Sequence, residues 1–339
     1  MSARWFAGSA LARVLPTRRL GAAGARELAA SSSPAEAVRA LACSPYGRFV
    51  RATDSPAVAR RGIAETLLWH LRVLAGWLPG DGVRVLRLLA GWFELANVDD
   101  RVRDLTGADQ PAWAPFRLGT LATAWPRLAR TNSLPRLLAA LADSAWGDPG
   151  GIRPHDISLG LRLRWAERVA AGVVPARPWA AGAVALLVAR DPTVRAERLS
   201  TPLAVRVDHV LGPGWSRAAC VAELPMAVPE AAWALRGVGD PEQLWRAEAR
   251  WWARLRTDGA ELLAARGCGP DTAVGAAALL AVDAWLAGTA LDVAAGTALD
   301  VAAGTALDVA ASDGHRPGGT DAVVESPDPG AAEVLYALA

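Results

Sequence analysis

The chain has 339 residues, of which 52% are hydrophobic and 21% charged, and this composition excludes a globally disordered protein. At this length it can bury a sizeable core or divide into two or three small domains. Its 36 basic and 34 acidic residues leave a net charge of +2, so no strong field favours a nucleic acid or an acidic membrane surface. Every basic residue is an arginine, which excludes a lysine-dependent phosphate loop and a lysine Schiff base.

Cysteine usage and the N-terminal segment predict a cytoplasmic protein. The chain has three cysteines, Cys43, Cys220 and Cys268, which lie far apart in the sequence and do not have the spacing of metal ligands. An odd number of distant cysteines is typical of reduced thiols in the cytosol rather than of a disulfide framework. Residues 1–24 carry arginines within their apolar run, which is not typical of an export signal. The best candidate for a membrane span, residues 169–188, is interrupted by two prolines and an arginine. It predicts buried helices rather than a span.

The first part of the chain is predicted to form short helices joined by turns. Ser33, Pro34 and Glu36 form a complete helix-start signal, in which serine caps, proline takes the first position and glutamate closes the capping box. The stretch from Ser44 to Gly47 is typical of a turn.

Two longer amphipathic stretches follow, on either side of the turn at residues 79–82. Each carries apolar residues at i, i+1, i+4, i+7, i+8 and i+11, which places one apolar stripe along a helix. The stretch from Arg84 to Leu105 is therefore expected to be one long helix that ends in a charged cluster. The turn between the two stretches predicts an antiparallel pair.

Later stretches repeat this plan. The corresponding positions are Leu20-Gly21 with Leu118-Gly119 and Leu211-Gly212, Tyr46-Gly47 with Trp146-Gly147, and Gly147-Asp148 with Gly239-Asp240. We therefore predict three similar helical segments, at residues 1–107, 108–210 and 211–311. Period-2 alternation is nearly missing from the chain, so the predicted fold class is all-α.

Three aspartates recur at equal intervals of 92 residues, namely Asp99, Asp191 and Asp283. Each follows an apolar run, so we expect three equivalent helix-end positions that serve packing between segments rather than chemistry. Asp191 directly precedes Pro192 and is expected to cap the next helix. On this interpretation, Asp191→Ala lowers the melting temperature.

The octad GTALDVAA occurs three times without a difference between residues 288 and 311. Eight residues at about 100° each leave a drift of roughly 80° per copy, so consecutive copies cannot keep one apolar helix face. We interpret the tract as an expansion within or after the last helix. Residues 312–329 are then a linker rich in glycine, proline and aspartate, and Ala331 to Leu338 is predicted to form a short docking helix in the C-terminal tail.

One acidic cluster invites a metal-binding interpretation. Asp99, Asp100 and Asp104 resemble the acid-rich magnesium site of terpenoid synthases, and Asp100 and Asp104 share a helix face. Diphosphate chemistry needs a second ligand cluster on a facing helix, and none is convincing. Arg101 and Arg103 stand close enough to neutralise these carboxylates, so a structural role is favoured.

The remaining candidate groups predict no catalytic, cofactor-binding or metal site. The four histidines, His70, His155, His209 and His315, have no mutual spacing that suggests a metal site. The sequence has no Gly-x-Ser-x-Gly or comparable nucleophile setting. The fifteen tryptophans are scattered, which is more typical of packing than of recognition.

Four sequence features are similar to those of one known family. They are Leu41-x-x-Ser44-Pro45-Tyr46 after the first short helices, Leu95 to Asp100 at the end of a long helix, Leu118 to Leu121 at the start of the second segment, and Asp283 late in the third. With these features in this order and at this threefold spacing, the chain resembles the central-stalk subunit of rotary V-type and A-type ATPases. This family has members in bacteria, archaea and eukaryotes, and the resemblance spans about residues 1 to 295.

The resemblance implies three helical bundles arranged as a funnel, which receives the rotating shaft and rests on the proteolipid rotor ring. It implies no active site, no cofactor and no small-molecule substrate. The implied role is coupling of shaft rotation to proton or sodium transport, as a peripheral part of the complex on the inner face of the cell membrane. Two alternatives remain open from the residues alone: an all-α magnesium-dependent enzyme that uses Asp99 to Asp104, and an unrelated helical scaffold.

Overall fold

The computed structural model describes residues 3–107, 113–191 and 199–296, and these residues form helices and connecting segments without a strand. The all-α prediction is confirmed for this part of the chain. The α-helices, numbered here in chain order, are α1 Ala3–Val14, α2 Gly21–Ala29, α3 Pro34–Ala42, α4 Pro56–Trp77, α5 Gly80–Leu89, α6 Gly91–Thr106, α7 Trp125–Leu128, α8 Leu134–Ala142, α9 Pro154–Gly172, α10 Arg177–Arg190, α11 Thr201–Leu211, α12 Leu224–Ala227, α13 Leu244–Ala264 and α14 Pro270–Ala294. Short 3₁₀ turns join several of them.

The predicted start of α3 is correct, with one difference in the capping box. The Ser33 side chain accepts a hydrogen bond from the Glu36 amide, and Pro34 occupies the first turn. The Glu36 carboxylate reaches back to the amide and hydroxyl of Ser32 rather than to the amide of Ser33. Local capping chemistry therefore explains where this helix begins.

The prediction of one long helix from Arg84 to Leu105 is wrong. The segment forms two helices, α5 and α6, with Ala90 at the break and Gly91 opening the second helix. A Cβ atom on Gly91 would lie 2.9 Å from Cδ1 of Trp165 and 3.1 Å from Cη2 of Trp146. Because two indole rings pack onto the backbone here, tertiary packing overrides the continuous apolar periodicity.

The described residues divide into two compact units. Unit 1 combines residues 3–70 with residues 240–296, so the two ends of the described chain fold together. Unit 2 comprises residues 71–239 with their gaps. The boundaries of the three predicted segments differ from the boundaries of these two units. The similarity of the three segments as helical bundles stays a prediction.

Unit 1 is built around α14, which is buried over most of its length and packs against α1, α2, α3 and α13. Gly259 and Gly275 let α13 and α14 approach closely, since a Cβ on Gly275 would lie 2.6 Å from the Gly259 carbonyl oxygen. The Trp252 and Trp285 rings stack with centroids 5.3 Å apart, and the Trp285 indole donates to buried Glu248. Aromatic and close helix contacts thus anchor the central helix.

Among the described helices, α14 is long and apolar enough to cross a membrane by length and composition. Of its most apolar window, 94% is buried against the rest of the protein. The core helix of a soluble protein has the same properties, so this finding is weak evidence for a span. The predicted candidate at residues 169–188 instead forms the end of α9, a turn and most of α10.

Unit 2 is centred on α9, which packs against α5, α6, α10 and α11. One apolar cluster of unit 2 consists of Leu95, Val98, Val102, Leu128, Leu137, Leu141, Trp146, Ile157 and Leu161. Gly160 allows the chain before α9 to return against the helix, because a Cβ there would collide with the Pro149 carbonyl oxygen.

The first octad lies largely within α14, the last described helix, and is part of the core of unit 1. Residues 288–292 of α14 are buried. The Arg60 guanidinium forms an ion pair with Asp292 and donates to the Gly288 carbonyl oxygen at 3.2 Å. Burial lowers the pKa of Arg60 to about 10. The other two octads, the linker and the predicted helix at 331–338 lie outside the described residues.

Candidate functional site

The most specific polar arrangement in unit 1 surrounds Asp283, in the middle of α14. This carboxylate is only 5% exposed. It accepts hydrogen bonds from the amides of Leu20 and Gly21, at 3.1 and 2.7 Å, and from the Tyr46 hydroxyl at 2.8 Å. We call these four residues the Asp283 cluster. Three donors compensate the cost of burying the carboxylate.

Local structure positions each donor of the Asp283 cluster. The Ser44 hydroxyl donates to the Leu41 carbonyl oxygen and accepts from the Tyr46 amide, so the turn after α3 fixes the tyrosine. Gly21 opens α2 with a φ of +72°, a conformation that favours glycine. The carboxylate therefore sits at the amide end of α2, where the helix dipole favours a negative charge.

Burial and neighbouring charges shift two titratable groups beside this cluster. Burial, and then the Asp283 carboxylate, raise the pKa of the Tyr46 hydroxyl well above its usual value. Burial lowers the pKa of His70, although the Thr66 carbonyl and Asp283 oppose that shift. Both groups line a small cavity together with Asp283 and two arginines. The local environment favours a neutral tyrosine and a neutral histidine.

A second cluster in unit 2 has the same construction around Glu94, in α6. Glu94 is 1% exposed. Its carboxylate accepts from the amides of Thr123 and Ala124, at 2.5 and 2.6 Å, and from the Trp146 indole at 2.8 Å. We call these four residues the Glu94 cluster. The Arg168 guanidinium lies over the Trp146 ring, 4.7 Å from its centroid.

The turn that carries the aromatic donor is the same in both clusters. The Ser144 hydroxyl donates to the Leu141 carbonyl oxygen and accepts from the Trp146 amide, as Ser44 does between Leu41 and Tyr46. The shared sequence pattern is Leu-x-x-Ser-x-aromatic-Gly, repeated at an interval of 100 residues. Each unit thus holds a buried carboxylate on a helix, two backbone amides and one aromatic donor. In each unit the hydrogen bonds tie a helix to segments elsewhere in that unit.

No corresponding polar cluster is expected at the position that the 92-residue spacing predicts for a third turn. Val238 stands 92 residues after Trp146 and is buried at 1% exposure. The sequence of α10 contains neither aspartate nor glutamate. The acidic acceptor and the aromatic donor are therefore both missing there. Because they are missing together, neither a buried carboxylate nor a buried donor is left without its hydrogen-bond partner.

The predicted equivalence of Asp99, Asp191 and Asp283 as helix-end residues is wrong. Asp191 directly follows α10, but Asp99 lies within α6 and Asp283 within α14. The residue whose contacts match those of Asp283 is Glu94, which sequence spacing did not identify. Both acidic residues interrupt strongly apolar runs, and that was the one available signal.

The acidic residues proposed as magnesium ligands pair with arginines instead. Asp99 accepts from Arg162 at 3.0 Å and from the Ser158 hydroxyl. Asp100 pairs with Arg103, and Asp104 lies 3.8 Å from Arg101. Within the described ranges, no group of three or more histidine, cysteine, aspartate or glutamate residues is arranged to hold a metal ion.

The histidines lie in separate environments. His155 pairs with the largely buried Asp191 at 2.9 Å, and His209 pairs with Glu167 at 3.0 Å. His315 and the helix that Asp191 was expected to cap, which would begin at Pro192, lie outside the described residues. The expected destabilisation by Asp191→Ala stays a prediction, with loss of the His155 contact as its physical reason. The three cysteines are free thiols.

Comparison with models of known protein families and with curated protein sequences finds no match.

Proposed function

We propose that this chain is the non-catalytic central-stalk subunit of a rotary ATPase of the V or A type. In this role its helical segments form a funnel that joins the central shaft to the proteolipid rotor ring. Rotation of the shaft is then coupled to ion transport. The chain acts at the inner face of the membrane and needs neither cofactor nor small-molecule substrate.

The observation that carries this proposal is the recurrence of the carboxylate cluster, around Asp283 in unit 1 and around Glu94 in unit 2. A part that transmits torque has to resist distortion between its helices. A buried carboxylate with three donors resists distortion because any displacement leaves charged or polar groups unsatisfied. Two clusters of one design also support an origin from repeated helical segments.

Residues that carry the family resemblance also have specific buried contacts. Ser44 and Tyr46 belong to the turn and the cluster that hold Asp283. The Asn97 side chain is fully buried and bonds both to the amide and to the carbonyl oxygen of Phe116, at 2.7 and 3.0 Å. It thereby holds the segment that leads to Leu118-Gly119. Similar demands on the fold would account for the similar sequence features.

The magnesium-dependent enzyme is disfavoured by the arginine pairing of Asp99, Asp100 and Asp104. A carboxylate that binds a divalent cation must exchange these partners for the metal. We expect the purified chain to release neither phosphate from ATP nor diphosphate from an isoprenoid diphosphate with magnesium present. Magnesium-dependent turnover that Asp100→Ala abolishes would support the enzyme instead.

A bridging experiment tests the proposed function. The shaft subunits and the detergent-solubilised rotor ring of the same cells are mixed with and without this chain, and the mixtures are separated by size. We expect shaft and ring to elute together only when the chain is added. The mixture without the chain is the matched control. Elution of the chain apart from both components would contradict the proposal.

A further inference from the structure

The N-terminal helix α1 has two different faces. Gly8, Ser9 and Ala12 are buried, and α1 packs against α14 within unit 1. The opposite face carries Phe6, which is 70% exposed, and Val14, which is 49% exposed. Ala3 and Ala10 extend this exposed face along the helix. Outward faces of helices are normally polar, so an apolar stripe of this length indicates a docking surface.

The N-terminal segment that contains α1 is basic. The first 26 residues contain five arginines and no acidic residue. Residues 312–339 contain five acidic residues and one arginine. The chain as a whole is nearly neutral, so the two ends carry opposite charges that favour their association.

The acidic end of the chain also carries a suitable apolar segment. In residues 331–338 the apolar side chains Ala331, Val334, Leu335 and Leu338 follow i, i+3, i+4 and i+7. This spacing is typical of a segment that binds another helix with one face. Glu333 and Tyr336 occupy other positions of the segment.

The distance along the chain permits an intramolecular contact. The last described residue, Gly296, follows α14, and α14 packs against α1. Thirty-four residues lie between Gly296 and Ala331. A fully extended chain of this length reaches about 110 Å, whereas α14 is about 38 Å long and α1 about 18 Å long. The C-terminal segment can therefore reach the stripe of its own chain.

We propose that the C-terminal segment Ala331–Leu338 docks onto the exposed apolar stripe of α1 in the same molecule. Val334, Leu335 and Leu338 cover Phe6 and Val14, and the acidic residues of the tail face the arginines of the N-terminal segment. Removal of the stripe from water provides the driving force.

Hydrogen exchange of α1 in the full-length chain tests this proposal. Leu335→Glu places a charge in the docking segment, and we expect the amides of residues 3–14 to exchange several-fold faster. Val324→Glu is the matched control, because it adds the same charge to the tail outside the segment and should leave α1 unchanged. Phe6→Glu combined with Leu335→Glu should add nothing to Phe6→Glu alone. Unchanged exchange in Leu335→Glu overturns the proposal.

A cross-link distinguishes the tail of the same molecule from a second copy. Ala10→Cys and Ala332→Cys are introduced after the three native cysteines are replaced by serine. We expect oxidation to yield a disulfide within one monomer, at a yield independent of protein concentration, which Leu335→Glu abolishes. Disulfide-linked dimers as the main product would assign the stripe to a second copy, and absence of any cross-link would leave the segment undocked. Either result contradicts the proposal.

Discussion

At the scale of single residues, two carboxylates organise the described structure. Asp283 could be singled out from the sequence because it interrupts a long apolar run, although its position within a helix was not predicted. Glu94 also lies between apolar residues, but an acidic residue within a helix is ordinarily exposed. Its burial depends on amides from Thr123 and Ala124, 29 and 30 residues further along the chain. Helical periodicity contains no information about such donors, so sequence reasoning missed this residue.

Removal of the Asp283 carboxylate should destabilise the protein far more than removal of a single donor. Asp283→Ala leaves two amides and the Tyr46 hydroxyl without their acceptor, and we expect a loss of roughly 2–5 kcal/mol in the free energy of unfolding. Tyr46→Phe removes one hydrogen bond and should cost about 1 kcal/mol. Urea denaturation measures both. Equal losses in the two variants would show that the carboxylate does not hold the cluster together.

His70 predicts a pH dependence below neutrality. Its pKa is lower in the folded protein than in the unfolded chain, so its contribution to stability is complete above about pH 6.5. That contribution is lost as the pH falls through the lowered pKa, because the folded state disfavours the charged imidazole. We expect His70→Gln to show a shallower loss of stability between pH 7 and 5, measured from urea midpoints. A slope as steep as that of the unmodified chain would contradict this role.

At the scale of helices, local signals and tertiary contacts explain different boundaries. The capping residues before α3 predicted its start because a cap satisfies amides within the same turn. The apolar stripe from Arg84 to Leu105 did not reveal the break at Ala90. That break depends on the rings of Trp146 and Trp165, which approach Gly91 from elsewhere in unit 2. The helix class could be predicted from the chain alone, whereas this boundary required the packed structure.

Gly91 and Gly76 should respond in opposite directions to the same substitution. Gly91→Ala places a methyl group against the Trp165 and Trp146 rings, and we expect a loss of about 1–3 kcal/mol in the free energy of unfolding. Gly76 is exposed in α4, and a Cβ there meets no atom within 4 Å. Gly76→Ala should therefore stabilise the protein by up to about 1 kcal/mol through helix propensity. Thermal unfolding in which both variants gain stability would contradict the packing at the break.

At the scale of the whole molecule, the contacts between distant parts of the chain decide the division into units. Sequence repetition correctly indicated corresponding turns at Tyr46 and Trp146, since each repeats a local pattern. It could not indicate that residues 3–70 fold with residues 240–296. The hydrogen bonds of Asp283 join positions more than 230 residues apart, and no local pattern specifies such partners. The proposed C-terminal contact to α1 would bring the two termini together as well.

Ion transport in membrane vesicles tests the proposed coupling role most directly. Inside-out vesicles are prepared from cells with and without this chain, and ATP-driven uptake of protons and of sodium is measured together with ATP hydrolysis. We predict that vesicles without the chain lose ATP-driven uptake, while the detached catalytic head continues to hydrolyse ATP, and that the purified chain restores uptake. Uptake at an undiminished rate without the chain would contradict the account.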